Sequence, residues 1–210
     1  WQAQVVGPLR HVRTQWRAMA QQDEAVAALR ERVKALELDA ERTLLKRLEA
    51  LANRLWEQQG VNVAIEPADL TNRTELERIE QLIASDQHIG VLVNNAGLER
   101  ITPLLEEGVE ETFRRITDIN TNGTFYVTRH AVPKMASGGR IIVTASIWSR
   151  VAVPEFAAYV TSKHANLGFM RVMAKELGPQ GIRVNAVCPG WVRTEAAMLS
   201  LANMSQRTGR

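Results

Sequence analysis

Residues 140–163 read RIIVTASIWSRVAVPEFAAYVTSK. Arg140–Ala145 is β-branched and apolar, and it stops at Ser146. That is the pattern of a short buried strand. A loop carrying Trp148 and Pro154 comes next. Ala157–Leu177 then reads as a helix, stopped by Gly178 and Pro179, and Ile182–Val187 returns as a second strand closed by Pro189-Gly190. Two strands joined by a helix of this length imply a parallel crossover.

The same alternation extends toward the amino end. His88–Val93 is an apolar strand entering Asn94-Asn95-Ala96-Gly97, and Glu107 to about Met135 contains a long helix. Val61–Ile65 reads as another strand, with a helix over Thr74–Ala84 after it. Strands separated by helices predict an α/β fold with a Rossmann-like, doubly wound parallel sheet.

Before Gly60 the character changes. Neither glycine nor proline occurs between Pro8 and Gly60. Val26, Leu29, Val33, Leu36, Ala40, Leu44, Leu48, Leu51 and Leu55 keep a spacing of three or four, which predicts one apolar helix face. Asp23 is placed to cap it and Gly60 to end it. A competing reading puts a short strand at Val33–Leu38 with Asp39 at its end, although Lys34 and Glu37 suit a buried strand poorly. The expected organisation is one domain over 1–210: an atypical, largely helical segment at 1–59, then a core at 60–210.

Composition narrows the function classes. The 210 residues carry a net charge of +3, with 45% hydrophobic and 23% charged residues. Acidic and basic residues are interspersed, with no basic block, which argues against a nucleic-acid partner. No apolar run approaches the ~18 residues of a membrane-spanning helix. The one cysteine, Cys188, excludes an internal disulfide and a cysteine-built zinc site. The histidines form no ligand spacing, so no metal is expected. The lone cysteine and the lack of a signal-like opening stretch lead us to expect a cytoplasmic location. The chain opens on Trp1, which leaves its true start open.

Ligands of open α/β sheets bind beyond the carboxyl ends of the strands. Four short segments occupy those positions: Asp69-Leu70, then Asn94 to Gly97, then Ser146, then Pro189, Gly190, Val192 and Thr194. Small and polar residues converge there. Tyr159 and Lys163 stand at i and i+4 and share one helix face near the same edge. Trp148 and Trp191 sit in loops there, equally suited to packing and to lining a substrate pocket.

Asn-Asn-Ala-Gly at 94–97, Ser146 thirteen residues before Tyr159, Tyr-x-x-x-Lys at 159–163 and Pro-Gly-x-Val-x-Thr at 189–194 together resemble the short-chain dehydrogenase/reductase family, with 3-oxoacyl-carrier-protein reductases or related alcohol dehydrogenases as the nearest subtype. Asp69-Leu70 and Ile-Asn-Thr-Asn-Gly at 119–123 fit as well. The resemblance covers Val61 to Thr194. It implies hydride transfer between NAD or NADP and a carbonyl or alcohol carbon. Tyr159 would be the general acid and base, Ser146 would hold the substrate oxygen, and Asn120 would hold a water linking Lys163 to solvent. Lys163 would hold the nicotinamide ribose and, as a nearby ammonium, lower the phenol's pKa. Asp69, Leu70, Asn95, Ala96, Gly97, Pro189, Gly190, Val192 and Thr194 would join Tyr159 and Lys163 in holding the cofactor. The family commonly pairs through the helices near Glu107–Met135 and Ala157–Leu177, so a homodimer or homotetramer is expected, supported by an outer stripe of Ala158, Val160, Ala165 and Phe169.

Two departures stand out. The family's Thr-Gly-x-x-x-Gly-x-Gly turn, which brings helix N–H groups onto the pyrophosphate, is absent. The closest stretch, Val6 to Arg13, keeps one glycine and places His11 and Arg13 where others belong. Were Asp39 the end of a second strand, it would bond a ribose 2′-hydroxyl and favour NAD. The family also continues past the equivalent of Arg210 with a substrate-covering segment that Met198–Arg210 only begins. The rival reading is therefore a catalytically impaired fragment, or a non-catalytic helical interaction module built on the stretch before Gly60.

Overall fold

The computed structural model describes residues 42–43, 45–85 and 88–208. They form two compact units, one of residues 68–192 and one of the described residues before 68 and after 192. In chain order the helices and strands are α1 (residues 45–59), α2 (Arg73–Ser85), β1 (Val91–Asn94), α3 (Val109–Thr117), α4 (Thr124–Ala131), β2 (Arg140–Thr144), α5 (Ala157–Leu177), β3 (Arg183–Val187) and α6 (Glu195–Thr208).

Within 68–192 the expected α/β architecture is present. The sheet has three strands in the order β1-β2-β3, all parallel. Val93 stands opposite Ile142, and Ile142 opposite Asn185. Alternate strand residues define the core. Ile141, Val143 and Val184 pack with Ile182 against Met173 and Leu177 of α5. Each such side chain, removed from water, contributes roughly 1.5–3 kcal/mol. The other set of alternate residues, Val91, Val93 and Val187, stays about half exposed.

The helix after β2 spans Ala157–Leu177, as its pattern predicts. Gly178–Gln180 tightens into a 3₁₀ turn, and Gly181 reverses the chain at φ 76°. A Cβ there would also meet the Ser137 side chain, so both conformation and space favour glycine.

The expected single helix near Glu107–Met135 is interrupted. A π-helical turn, Asp118–Gly123, separates α3 from α4, and Val132–Lys134 ends the run as a 3₁₀ turn containing Pro133. Threonine hydroxyls bond back onto this helix: Thr124 Oγ1 donates to the Asn120 carbonyl and Thr128 Oγ1 to the Thr124 carbonyl, both at 2.7 Å. Such back-bonding competes with the regular ladder and bends helices. Gly123 lies against Leu70, where a Cβ would come within 2.9 Å of Leu70 Cδ1. The wide turn thus sits where backbone and neighbour approach closely.

The strand expected at Val61–Ile65 is not formed. Among the described residues, the one backbone bond this stretch makes runs from the Val61 N–H to the Leu55 carbonyl, at 3.4 Å. Val61 and Val63 are exposed. A strand exists only through a neighbouring strand, and no described residue pairs with this stretch.

In the other unit, α1 half-buries Leu45, Leu48, Ala52 and Leu55, while Leu51 stays exposed. Gly60 ends it at φ 64°, its N–H bonded to the Trp56 carbonyl. The Asp23 cap, the apolar face from Val26 to Leu44, the stretch from Val6 to Arg13, and the Val33–Leu38 and Asp39 readings lie outside the described residues. Before α6, Thr194 Oγ1 accepts from the Ala197 N–H, and its carbonyl from the Met198 N–H.

Candidate active site

The site grows from three loops laced together beyond the strands. After β2 the backbone is extended at Ser146, then closes a 3₁₀ turn over Ile147–Ser149. Ser146 Oγ accepts from the Trp148 N–H, and Ser149 Oγ accepts from the Ser146 N–H, both at 3.1 Å. This reciprocal pair fixes the serine's rotamer as well as the turn. The Ala145 N–H donates to the Val187 carbonyl, and the Ile147 N–H to the Pro189 carbonyl, at 2.9 Å each. The exits of β2 and β3 are therefore tied together by backbone bonds.

The start of α5 is held from a distance. Phe156, at the N-cap position, supplies no side-chain bond. Instead Thr102 Oγ1 accepts from the Ala158 N–H at 3.0 Å, and the Thr102 N–H donates to the Glu155 carbonyl. Thr102 thus satisfies an orphan donor of the helix from 56 residues away. This anchors the first turn, which carries Tyr159.

Asn120, on the π-turn, is fully buried. Its Oδ1 accepts from the Leu98 N–H at 2.7 Å, and its Nδ2 donates to the Leu98 carbonyl and to Ser162 Oγ, at 2.9 Å each. Its side chain clamps the loop leaving β1 to α5. Beside it, a Cβ on Gly97 would lie 3.4 Å from Lys163 Nζ and 3.5 Å from Asn120 Oδ1.

Lys163 is buried, and its Nζ donates to the Thr144 carbonyl at 2.7 Å. Nζ lies 5.5 Å from the centre of the Tyr159 ring. Burial lowers the Lys163 pKa to about 8. The Tyr159 phenol shifts opposite to the expectation. Burial raises its pKa, a hydrogen bond with the Ser146 side chain counteracts that, and the Glu99 carboxylate adds to the rise. Desolvation outweighs the hydrogen bond. Thr102, Ser149 and Ser162 hold the candidate residues in place and Glu99 bears on the phenol, contacts that sequence reading did not assign. A serine three residues after Ser146 was the one available cue, as a capping pair.

The remaining cofactor candidates divide. Asn95, Ala96 and Gly97 are exposed at the end of β1, and Asn95 Oδ1 accepts from Thr144 Oγ1 at 3.0 Å. The resemblance assigns these three to the adenosine ribose, and the small side chains of Ala96 and Gly97 leave the backbone open to a close approach there. Pro189 joins through its carbonyl, and Gly190 and Val192 come after it. Asp69 is engaged locally: its Oδ1 accepts from the Thr71 N–H and hydroxyl. Leu70 packs on Gly123. Thr194 belongs to the other unit, where it caps α6.

Aromatic rings border the phenol. Trp148 lies 4.8 Å from Phe156, 5.8 Å from Tyr159 and 5.9 Å from Trp191, measured between ring centres. The last two pairs meet nearly edge to face.

The sequence model of the short chain dehydrogenases matches residues 33–204. A second model, for a protein of unknown function, matches residues 1–48. The D-beta-hydroxybutyrate dehydrogenase of Cupriavidus necator is 36% identical over 154 residues, covering 72% of this chain and 59% of that protein. The hydroxynaphthalene reductase-like protein Arp2 of Metarhizium acridum is also 36% identical, over 130 residues, covering 61% of this chain and 48% of that protein. The chain thus spans between about half and three-fifths of these relatives' lengths. Among solved structures, a short chain dehydrogenase from Burkholderia cenocepacia in complex with NADP superposes with a TM-score of 0.56 at 34% identity, over 68% of this chain and 58% of that one. The chain belongs to the short-chain dehydrogenase family.

Proposed function

From that membership we propose that the chain is an NAD- or NADP-dependent oxidoreductase that interconverts a carbonyl and a hydroxyl carbon, with Tyr159 as general acid and base. The observation that carries this reading is the convergence of Ser146, Tyr159 and Lys163. Ser146 bonds the phenol, and Lys163 Nζ stands 5.5 Å from its ring. When bound, a nicotinamide dinucleotide supplies or accepts the hydride. The chain's own residues manage the oxygen and its proton. Ser146 holds the substrate oxygen beside the phenol. In reduction the Tyr159 hydroxyl gives its proton to that oxygen as the carbon gains hydride. In oxidation the phenolate takes the proton from the alcohol as hydride leaves.

The raised phenol pKa keeps Tyr159 protonated at neutral pH. That state suits reduction, while oxidation gains from rising pH as phenolate forms. Lys163 is charged below about pH 8 and holds its proton against the Thr144 carbonyl. A ribose hydroxyl would compete for the same ammonium. The names of the two relatives point to substrates as different as hydroxybutyrate and hydroxynaphthalene at equal identity, so likeness alone does not choose the substrate. Pairing through α3, α4 and α5 belongs to the same proposal. Phe125 and Tyr126 are partly exposed there, and Phe125 lies 5.7 Å from Phe169. Ala158, expected on the outer stripe, is instead fully buried against Leu98 and Ile116.

A second reading, a non-catalytic helical module at the amino end, is favoured by the separate match of residues 1–48. One experiment decides. NADH and NADPH oxidation is followed with a ketone panel, in the parent chain and in Tyr159→Phe. We expect turnover in the parent and a loss of at least ~10²–10⁴-fold in the variant, with unchanged thermal unfolding. Turnover within a few-fold of the parent would remove Tyr159 from the chemistry, and a parent without turnover favours the second reading.

A further inference from the structure

Resting on the hydride-transfer reading, we propose that Trp148 and Trp191 form an aromatic wall that selects substrates with a planar ring beside the reacting carbon, over short keto or hydroxy acids. Three observations carry it. The first is placement. Trp148 lies between Ser146 and the start of α5, and its ring meets Tyr159 edge to face at 5.8 Å. Its position is not loose, because Phe156, fully buried, backs it at 4.8 Å, and Ser146 Oγ accepts its backbone N–H.

The second observation is an open ring. Trp191 meets Trp148 at 88° and is 56% exposed. An indole that touches its neighbour edge to face and remains more than half in water has surface free for a stacked partner. Its loop is tied to the serine turn by the bond from the Ile147 N–H to the Pro189 carbonyl. Ile147, Val151 and Val192, on the same loops, are about half exposed, so the rim is apolar as well as aromatic.

The third observation is charge. A keto acid brings a carboxylate within a few bonds of the carbonyl and needs a cation to receive it. Glu99 contributes negative potential at the phenol. Lys163, the cation beside the phenol, is buried and committed to the Thr144 carbonyl, while Arg100 donates to the Glu99 carbonyl. Two negative groups at one edge repel, and desolvation adds to the cost. A neutral planar ring meets neither penalty.

The test uses the full chain labelled with nitrogen-15, whose five tryptophans give five indole N–H signals. Trp148→Phe and Trp191→Phe assign the two of interest. 1-Tetralone and acetoacetate are titrated separately without cofactor. We expect tetralone to move both signals saturably and acetoacetate to move neither. Trp191→Ala is expected to weaken tetralone binding about two- to tenfold, the loss of one ring contact, while Trp191→Phe retains most of it. Because Trp191 is largely exposed, both variants should fold. Equal responses to the two ketones, unmoved signals with tetralone, or equal binding by the Ala and Phe variants would overturn the proposal. A turnover arm with NADH and NADPH separates the two ideas. Ring binding without turnover of either ketone sinks the hydride reading alone. Turnover that prefers acetoacetate sinks the aromatic wall alone.

Discussion

The helix α5 and the stretch Val61–Ile65 both look regular in sequence, and only one is regular in the structure. In α5 every local signal concerns bonds that the helix makes with itself, and the helix is stopped by Gly178-Pro179. Its packing then adds Met173 and Leu177 to a core shared with β2 and β3. Val61–Ile65 carries the alternation of a strand but no bonding partner among the described residues. Alternation describes how a strand would lie in a sheet, and it supplies no neighbour. The difference teaches which readings survive: those that need few distant residues.

The largest test of this contrast is Phe156→Ala. The ring is fully buried at the start of α5 and lies behind Trp148, tilted at 54° to it. Truncation is expected to cost about 3–5 kcal/mol in urea unfolding, because the cavity is walled by fixed elements. A cost below 1 kcal/mol would mean that the first turn of α5 is not anchored as described.

Next comes Lys163→Met, read against pH. Between about pH 8 and 10.5 the unfolded chain holds a proton on this lysine that the folded chain has released. Folding is therefore favoured more as pH rises through that window. The cost of burying the charge is fully present below pH 8 and disappears above 10.5. Methionine carries no such cost. The stability of the variant relative to the parent should fall by about 2–3 kcal/mol between pH 7 and pH 10, from 1.36 kcal/mol per unit of pKa. A pH-independent difference would mean that Lys163 is solvated.

Much of the site was legible for the same reason that α5 was. Tyr159 and Lys163 are one turn apart on one helix, so their shared face comes from 3.6 residues per turn. Ser146 closes a strand whose β-branched run is unmistakable. What escaped was set by distant partners. Thr102 caps α5 from 56 residues away, and Asn120 clamps Leu98 from 22 away. The π-turn adds a backbone choice that no residue type announces. The direction of the Tyr159 shift depended on burial, which spacing does not measure. Thr144 acts at Lys163 through its carbonyl, which leaves no trace in side-chain chemistry.

Asn120→Ala tests one of those distant ties. It leaves the Leu98 N–H and carbonyl without their partner, in a region where Leu98 is itself buried. We expect a loss of about 2–3 kcal/mol, since each unsatisfied buried group costs ~1–3 kcal/mol. Asn120→Asp keeps the acceptor for the Leu98 N–H and loses both donated bonds. Amide exchange at Leu98 should stay slow in the Asp variant and become fast in the Ala variant. Equal exchange in both would show that the clamp does not act through Oδ1.

The smallest expected effect falls on the other side of the comparison. Val63 is 41% exposed in a stretch without regular structure. Val63→Ala deletes two methyl groups that already face water, so stability should change by less than about 0.5 kcal/mol. Were Val63 inside a sheet instead, the same change would remove buried methyls and cost roughly 1 kcal/mol or more. Hydrogen exchange gives an independent reading of the same point. The amides of residues 62–65 should exchange at nearly unprotected rates, whereas those of Ile142 and Val143, paired on both sides in β2, should rank among the slowest. Protection at 62–65 together with a measurable cost for Val63→Ala would place a strand there, and the lesson drawn from α5 would then need a different explanation.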